Sequence, residues 1–143
     1  IKFINSYTAL LLERNKMPTW KYFSNEELIC KGTGEYGMYD HFMYKLDALR
    51  EELGRPLIIT SAYRHPAHNS AIGGAPNSPH TLGRAVDIQC MGGLAYDIMQ
   101  LAFKHGMTGI GVSQRGNHDS RFLHLDDLTN GDDRSRPWVW SYK

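Results

Sequence analysis

Two short stretches constrain this chain most, because each alternates apolar and polar residues with a period of two. From Leu82 to Gln89, the residues Ala85, Asp87 and Gln89 fall on one side, while Val86, Ile88 and the following Cys90 fall on the other. From Phe122 to Asp126, Leu123 and Leu125 oppose Phe122, His124 and Asp126. Such alternation predicts strands with one buried face and one face that carries polar groups. If the two strands pair, Asp87 and His124 project together from one face while their apolar neighbours pack beneath. That apolar face then needs a covering layer.

The chain supplies helices for it. Phe42, Leu46, Leu49 and Leu53 recur at helical spacing over Asp40 to Leu53, with Asp40 placed to cap the start and Gly54 the end. A second helix is expected from Leu94 to Lys104, with Leu94, Ile98, Leu101 and Ala102 on one stripe and Gly106 just past its end. Leu57–Thr60 and Met107–Ser113 read as further strands, and the tail Trp138-Val139-Trp140 as a terminal one. Two tryptophans on one face of such a strand are expected to close a core edge. A Gly/Pro/Asn-rich loop from His65 to Pro79, enclosing a helical turn after Pro66, leads into Leu82–Gln89. The expected class is α+β, a small antiparallel sheet packed by helices.

The 143 residues suit one domain, 1–143, without repeat or linker. Charges nearly cancel at net +1, and no block of lysine or arginine stands apart, so neither nucleic acid nor a membrane surface is an expected partner. The expected state is a monomer. Cys30 and Cys90 lack CxxC spacing and read as buried free thiols rather than as a zinc knot. The amino terminus has no signal-peptide pattern.

A hydrolytic zinc site needs three nitrogen or oxygen ligands and one open position for water. His80, Asp87 and His124 meet that demand. His80 precedes the turn at Gly83 and Asp87 lies on the strand after it, so the bend brings both to one point, while His124 arrives from the other strand. Ligands on paired strands are held rigidly. His41, His65, His68 and His105 read as surface or packing residues.

Ser78-Pro79-His80-Thr81-Leu82-Gly83-Arg84-Ala85-Val86-Asp87 also satisfies the pattern S-x-H-x-x-G-x-A-x-D. In this it resembles the M15 zinc peptidases, the family of D-alanyl-D-alanine carboxypeptidases and phage L-alanyl-D-glutamate endolysins. Thr60-Ser61-Ala62-Tyr63-Arg64 resembles that family's S-G-Y-R stretch with alanine for glycine, and Phe122–Asp126 resembles the strand bearing its last ligand. Phe23 to Cys30 and Arg136 to Trp138 resemble the phage and prophage branch. The resemblance implies a hedgehog/D-Ala-D-Ala peptidase-like fold and one Zn²⁺ on His80, Asp87 and His124. It further implies Arg64 as the cation beside the scissile carbonyl and Tyr63 on the substrate side, while Ser78 is expected either to donate to a zinc ligand or to substrate, or to cap the loop. The implied substrate is a peptidoglycan stem peptide, and the implied setting is phage or prophage lysis in the host periplasm or cell wall.

One part of the pattern is missing. Where many members carry an acidic residue three positions before the last histidine, this chain has Arg121, and where others carry histidine two positions before it, this chain has Phe122. Asp126 is the expected general base, since it shares the strand face of His124 about 7 Å along. Asp119 and His118 are the alternatives. A catalytically weak, zinc-binding wall-associated or virion module is the second functional expectation, and a metal-free binding domain with Trp138 and Trp140 as a shelf is the third.

Overall fold

The computed structural model describes residues 19–143. Ser24 opens α1 (Asn25–Leu28), the first helix among the described residues, by accepting from the Glu27 amide while the Glu27 carboxylate accepts from the Ser24 amide, so two otherwise unpaired donors are satisfied at once. α2 (Asp40–Leu53) buries Phe42, Met43, Leu46 and Leu49 along the expected stripe. It ends at Gly54, whose left-handed φ of 70° suits a residue without Cβ. Its start differs from expectation: Asp40 is the first helical residue, and Tyr39 holds the cap position with no side-chain bond to the helix.

β1 (Ile58–Ser61), α3 (Pro66–Ala71), β2 (Ala85–Gln89), α4 (Gly92–Lys104), β3 (Gly109–Ser113), β4 (Phe122–Asp126) and β5 (Trp138–Ser141) follow. β2 begins later than the alternation suggests, because Pro79–Leu82 wind into a 3-10 turn that ends at Gly83. The five strands form one sheet in the order β1-β2-β4-β3-β5. Register is set by the buried face, since a one-residue slip would turn every apolar side chain outward. Val86 lies beside Leu125 and Ile88 beside Leu123, and Ile110 and Val112 face the same two leucines from the other flank.

That face meets α2 and α4 in one core, where Phe42, Leu46, Leu49, Ile98, Val86, Ile88, Leu123 and Leu125 are fully buried. Each contributes about 1.5–3 kcal/mol on burial. Cys30 and Cys90 are buried free thiols. The architecture is α+β, as the alternation and helical stripes imply. One pairing departs from an all-antiparallel sheet: β5 runs parallel to β3. Parallel neighbours need a long connection, which β4 and residues 127–137 provide.

Candidate metal centre

The polar face of the two central strands holds the site. Asp87 and His124 are direct neighbours across the β2–β4 ladder, and Ala85 lies beside Asp126. His80 enters from the 3-10 turn, whose first amides are capped when Ser78 Oγ accepts from the His80 N–H at 3.3 Å. Segment 62–64 grips His80 from two directions. The Arg64 amide donates to the His80 carbonyl at 3.1 Å, and His80 Nδ1 lies 2.8 Å from the Ala62 carbonyl oxygen.

These contacts decide which nitrogen of each neutral ring carries the proton. A carbonyl oxygen only accepts, so His80 Nδ1 carries the proton and Nε2 presents a lone pair. That Nε2 faces Asp87 Oδ1 at 3.2 Å. His124 Nε2 lies 2.8 Å from Asp126 Oδ2 and donates to it, leaving the lone pair of Nδ1 aimed at the same Asp87 Oδ1 at 3.1 Å. Two imidazole lone pairs and a carboxylate oxygen thus converge on one point. They repel one another unless a cation sits among them. The three ligand atoms lie within 4.8 Å of one another, and the donor set of two nitrogens and one oxygen suits zinc, with a fourth position open. With protons in place of a metal at this point, burial opposes charge on Asp87, but hydrogen bonds from His124 and His80 outweigh that cost and hold its carboxyl well below the usual carboxylate range.

An open cavity of about 480 Å³ lies over this cluster. Arg64 and Ser78 both line it. The Arg64 guanidinium is aimed by Asn69 Oδ1 at 2.9 Å and Ser61 Oγ at 3.2 Å. Tyr63 is not on that wall: it lines a separate depression with Ile29 and Thr60, and its ring fills the space beside Gly37.

Asp126 is also placed differently from what a proton acceptor needs. Its side chain is wholly buried. Oδ1 accepts from Arg136 Nε at 2.8 Å and the Leu128 amide at 3.3 Å, and Oδ2 accepts from Arg136 Nη2 and His124 Nε2, both at 2.8 Å. Four donors occupy the four acceptor positions of a carboxylate. Burial opposes ionisation here too, yet the bonds from His124 and Arg136 prevail and keep the carboxyl far below its ordinary value. No lone pair remains for a proton from the cavity. His118 and Asp119 sit on an exposed 3-10 turn away from the cavity wall.

Several wall residues escaped the sequence reading. Asp133 and Arg134 form a 2.9 Å ion pair on the cavity rim, and Arg134 Nη2 donates to the Asn77 carbonyl at 2.7 Å. Trp140, expected at a core edge or, in the third functional reading, on a binding shelf, faces the cavity with its ring 5.2 Å from that of His124. The R-x-W ending was the available signal, but the tryptophan it names, Trp138, is 56% exposed.

Comparison with known proteins agrees with this geometry. The family model described as Peptidase M15 matches residues 21–126. This chain belongs to the M15 peptidase family. The zinc D-Ala-D-Ala carboxypeptidase of Streptomyces albus G is 35% identical to it over 79 residues, which is 54% of this chain and 31% of that protein. The match therefore spans less than a third of that relative's length. His80, Asp87 and His124 lie inside the M15 match, whereas Asp133, Arg134, Arg136 and Trp140 lie beyond it.

Proposed function

We propose that this chain is a zinc metallopeptidase that hydrolyses amide bonds in peptidoglycan stem peptides, acting as a monomer in phage or prophage lysis at the host periplasm or cell wall. The observation that carries this reading is the convergence of the unprotonated His80 Nε2, Asp87 Oδ1 and His124 Nδ1 at the floor of an open cavity. The name of the Streptomyces albus G relative, a zinc D-Ala-D-Ala carboxypeptidase, supports both the metal and the substrate class. No helix of the described residues is long and apolar enough to cross a membrane.

Zinc held by these residues supplies Lewis acidity toward a carbonyl oxygen and toward water. The rest is done by the chain. Arg64, fixed by Asn69 and Ser61, offers a preorganised cation where negative charge develops on the carbonyl oxygen. Ser78 fixes the turn that delivers His80, and it serves substrate only from the wall. With Asp126 fully engaged, Asp133 is the wall carboxylate outside the ligand set, and it is assigned to take the proton of the attacking water and pass it to the leaving amine. Arg134 holds Asp133 at the rim and ties that loop to Asn77.

The test is mass spectrometry of products from purified muropeptides incubated with zinc-loaded protein, chelated protein and the His80→Ala variant. Products that require both zinc and His80 support the peptidase reading. The sequestration of Asp126 favours one second reading, the catalytically weak zinc-binding module. Zinc-dependent melting with no product from any muropeptide would select it.

A further inference from the structure

Arg136 lies beyond the residues that the Peptidase M15 model matches, yet it reaches back to Asp126 beside His124. Its guanidinium grips Asp126 in a two-pronged pair, Nε to Oδ1 and Nη2 to Oδ2, each 2.8 Å. The arginine side chain is 8% exposed and the aspartate not at all, so the pair is shielded from water. Asp126 Oδ2 in turn accepts from His124 Nε2, the ring nitrogen that faces away from the cluster. A metal-bound imidazole is oriented by whatever its second nitrogen touches, and loss of that partner commonly weakens metal binding 10–100-fold.

The backbone makes room for this arrangement. Gly109 of β3 lies beside Asp126, and a Cβ there would come 2.3 Å from Oδ1 and 2.5 Å from Cγ. Two residues on, a Cβ at Gly111 would come 2.8 Å from the Trp140 ring. That ring packs 5.1 Å from the Arg136 guanidinium carbon and 5.2 Å from the His124 ring. The strand is bare where the carboxylate and the indole must lie.

We propose that Arg136 is a positioning residue of the metal centre: acting through Asp126, it sets the ring plane and tautomer of His124, on a seat that Gly109 leaves open. The proposal rests on the reading of His80, Asp87 and His124 as metal ligands. A salt bridge that served the fold alone would stabilise the protein without altering how it holds a metal.

The experiment is a Co²⁺ titration of the full chain, followed by visible absorption, which responds to ligand geometry, with chelated protein melted in parallel. The variants are Arg136→Lys, which keeps the charge but loses the fork, Asp126→Asn, and the two combined. Each single variant is expected to raise the Co²⁺ dissociation constant about 10–100-fold and to change the absorption band. Because both act along one path, the double variant should lose no more than the worse single one. Losses that add, or an unchanged affinity and band with only a lower melting point, overturn the role of Arg136. Should the single substitutions unfold the protein, Gly109→Ala gives the same readout by displacing the Asp126 carboxylate, with the same expected loss and the same refutation. Wild-type protein that takes up no Co²⁺ overturns the underlying ligand reading instead.

Discussion

Asp126→Ala separates a carboxylate that holds the site together from one that receives a proton. The substitution removes the acceptor of four hydrogen bonds in a place without solvent. Arg136, 8% exposed, is left as a buried charge without its partner, and breaking such a pair from one side is worth about 3–5 kcal/mol. The Leu128 amide loses its partner as well, for about another 1 kcal/mol. For a chain of this size, a loss of about 4–6 kcal/mol lowers Tm by roughly 10–20 °C. The assay is thermal melting of metal-free protein in chelator, with Asp126→Asn alongside, which keeps the volume and one acceptor and should lose clearly less. Activity at saturating zinc completes the comparison. A Tm within about 2 °C of wild type, with kcat down a hundredfold or more at full zinc occupancy, is the signature of a proton acceptor facing the cavity. That result would refute the assignment of Asp126 to His124 and Arg136.

Gly83→Ala should be among the most damaging single-methyl changes, because φ is +69° and the new Cβ would lie 1.9 Å from the Gly37 carbonyl oxygen, against backbone that has no rotamer to give. Strain and overpacking together predict a loss of at least about 2 kcal/mol, read by urea unfolding, and a near-neutral result would contradict the packing of Gly37 on this turn. Arg64→Ala should lower kcat about 10²–10³-fold while zinc stoichiometry stays at one, since the guanidinium touches no ligand atom; lost metal would place it in the binding shell instead. Asp133→Asn should lower kcat by about 10²–10⁴ with Tm unchanged, and undiminished turnover would remove Asp133 from proton transfer. Burial pushes the Cys90 thiol up to about 11, so at pH 8 only about one molecule in a thousand carries the thiolate, and a thiol reagent should modify it at an appreciable rate only after unfolding.

How much of this was legible beforehand follows from the range of each interaction. Period-two alternation is local, so Val86, Ile88, Leu123 and Leu125 announced the buried face and Asp87 and His124 the polar one, and β4 runs from Phe122 to Asp126 as read. The meeting of His80, Asp87 and His124 was legible for the same reason, helped by a turn motif in which Gly83 must take a left-handed φ. Asp126 lies on the face that its parity predicts, with both oxygens taken up by hydrogen-bond donors. Its face depends on parity along β4, but its role depends on who donates to it, and the donors come from other parts of the chain.

Arg136 reaches Asp126 because β5 enters parallel beside β3, and no local pattern encodes on which edge, or in which direction, a terminal strand docks. Nor does any pattern tell that Gly109 and Gly111 are bare so that a carboxylate and an indole can lie over them. The sequence by itself determined the strands, their buried face and which three side chains could hold a metal, since these depend on alternation and on a motif a few residues long. Only the tertiary structure decided which charges pair, which carboxylate is tied to His124 and Arg136 and which faces the cavity, because burial and hydrogen-bond saturation are properties of the packed chain.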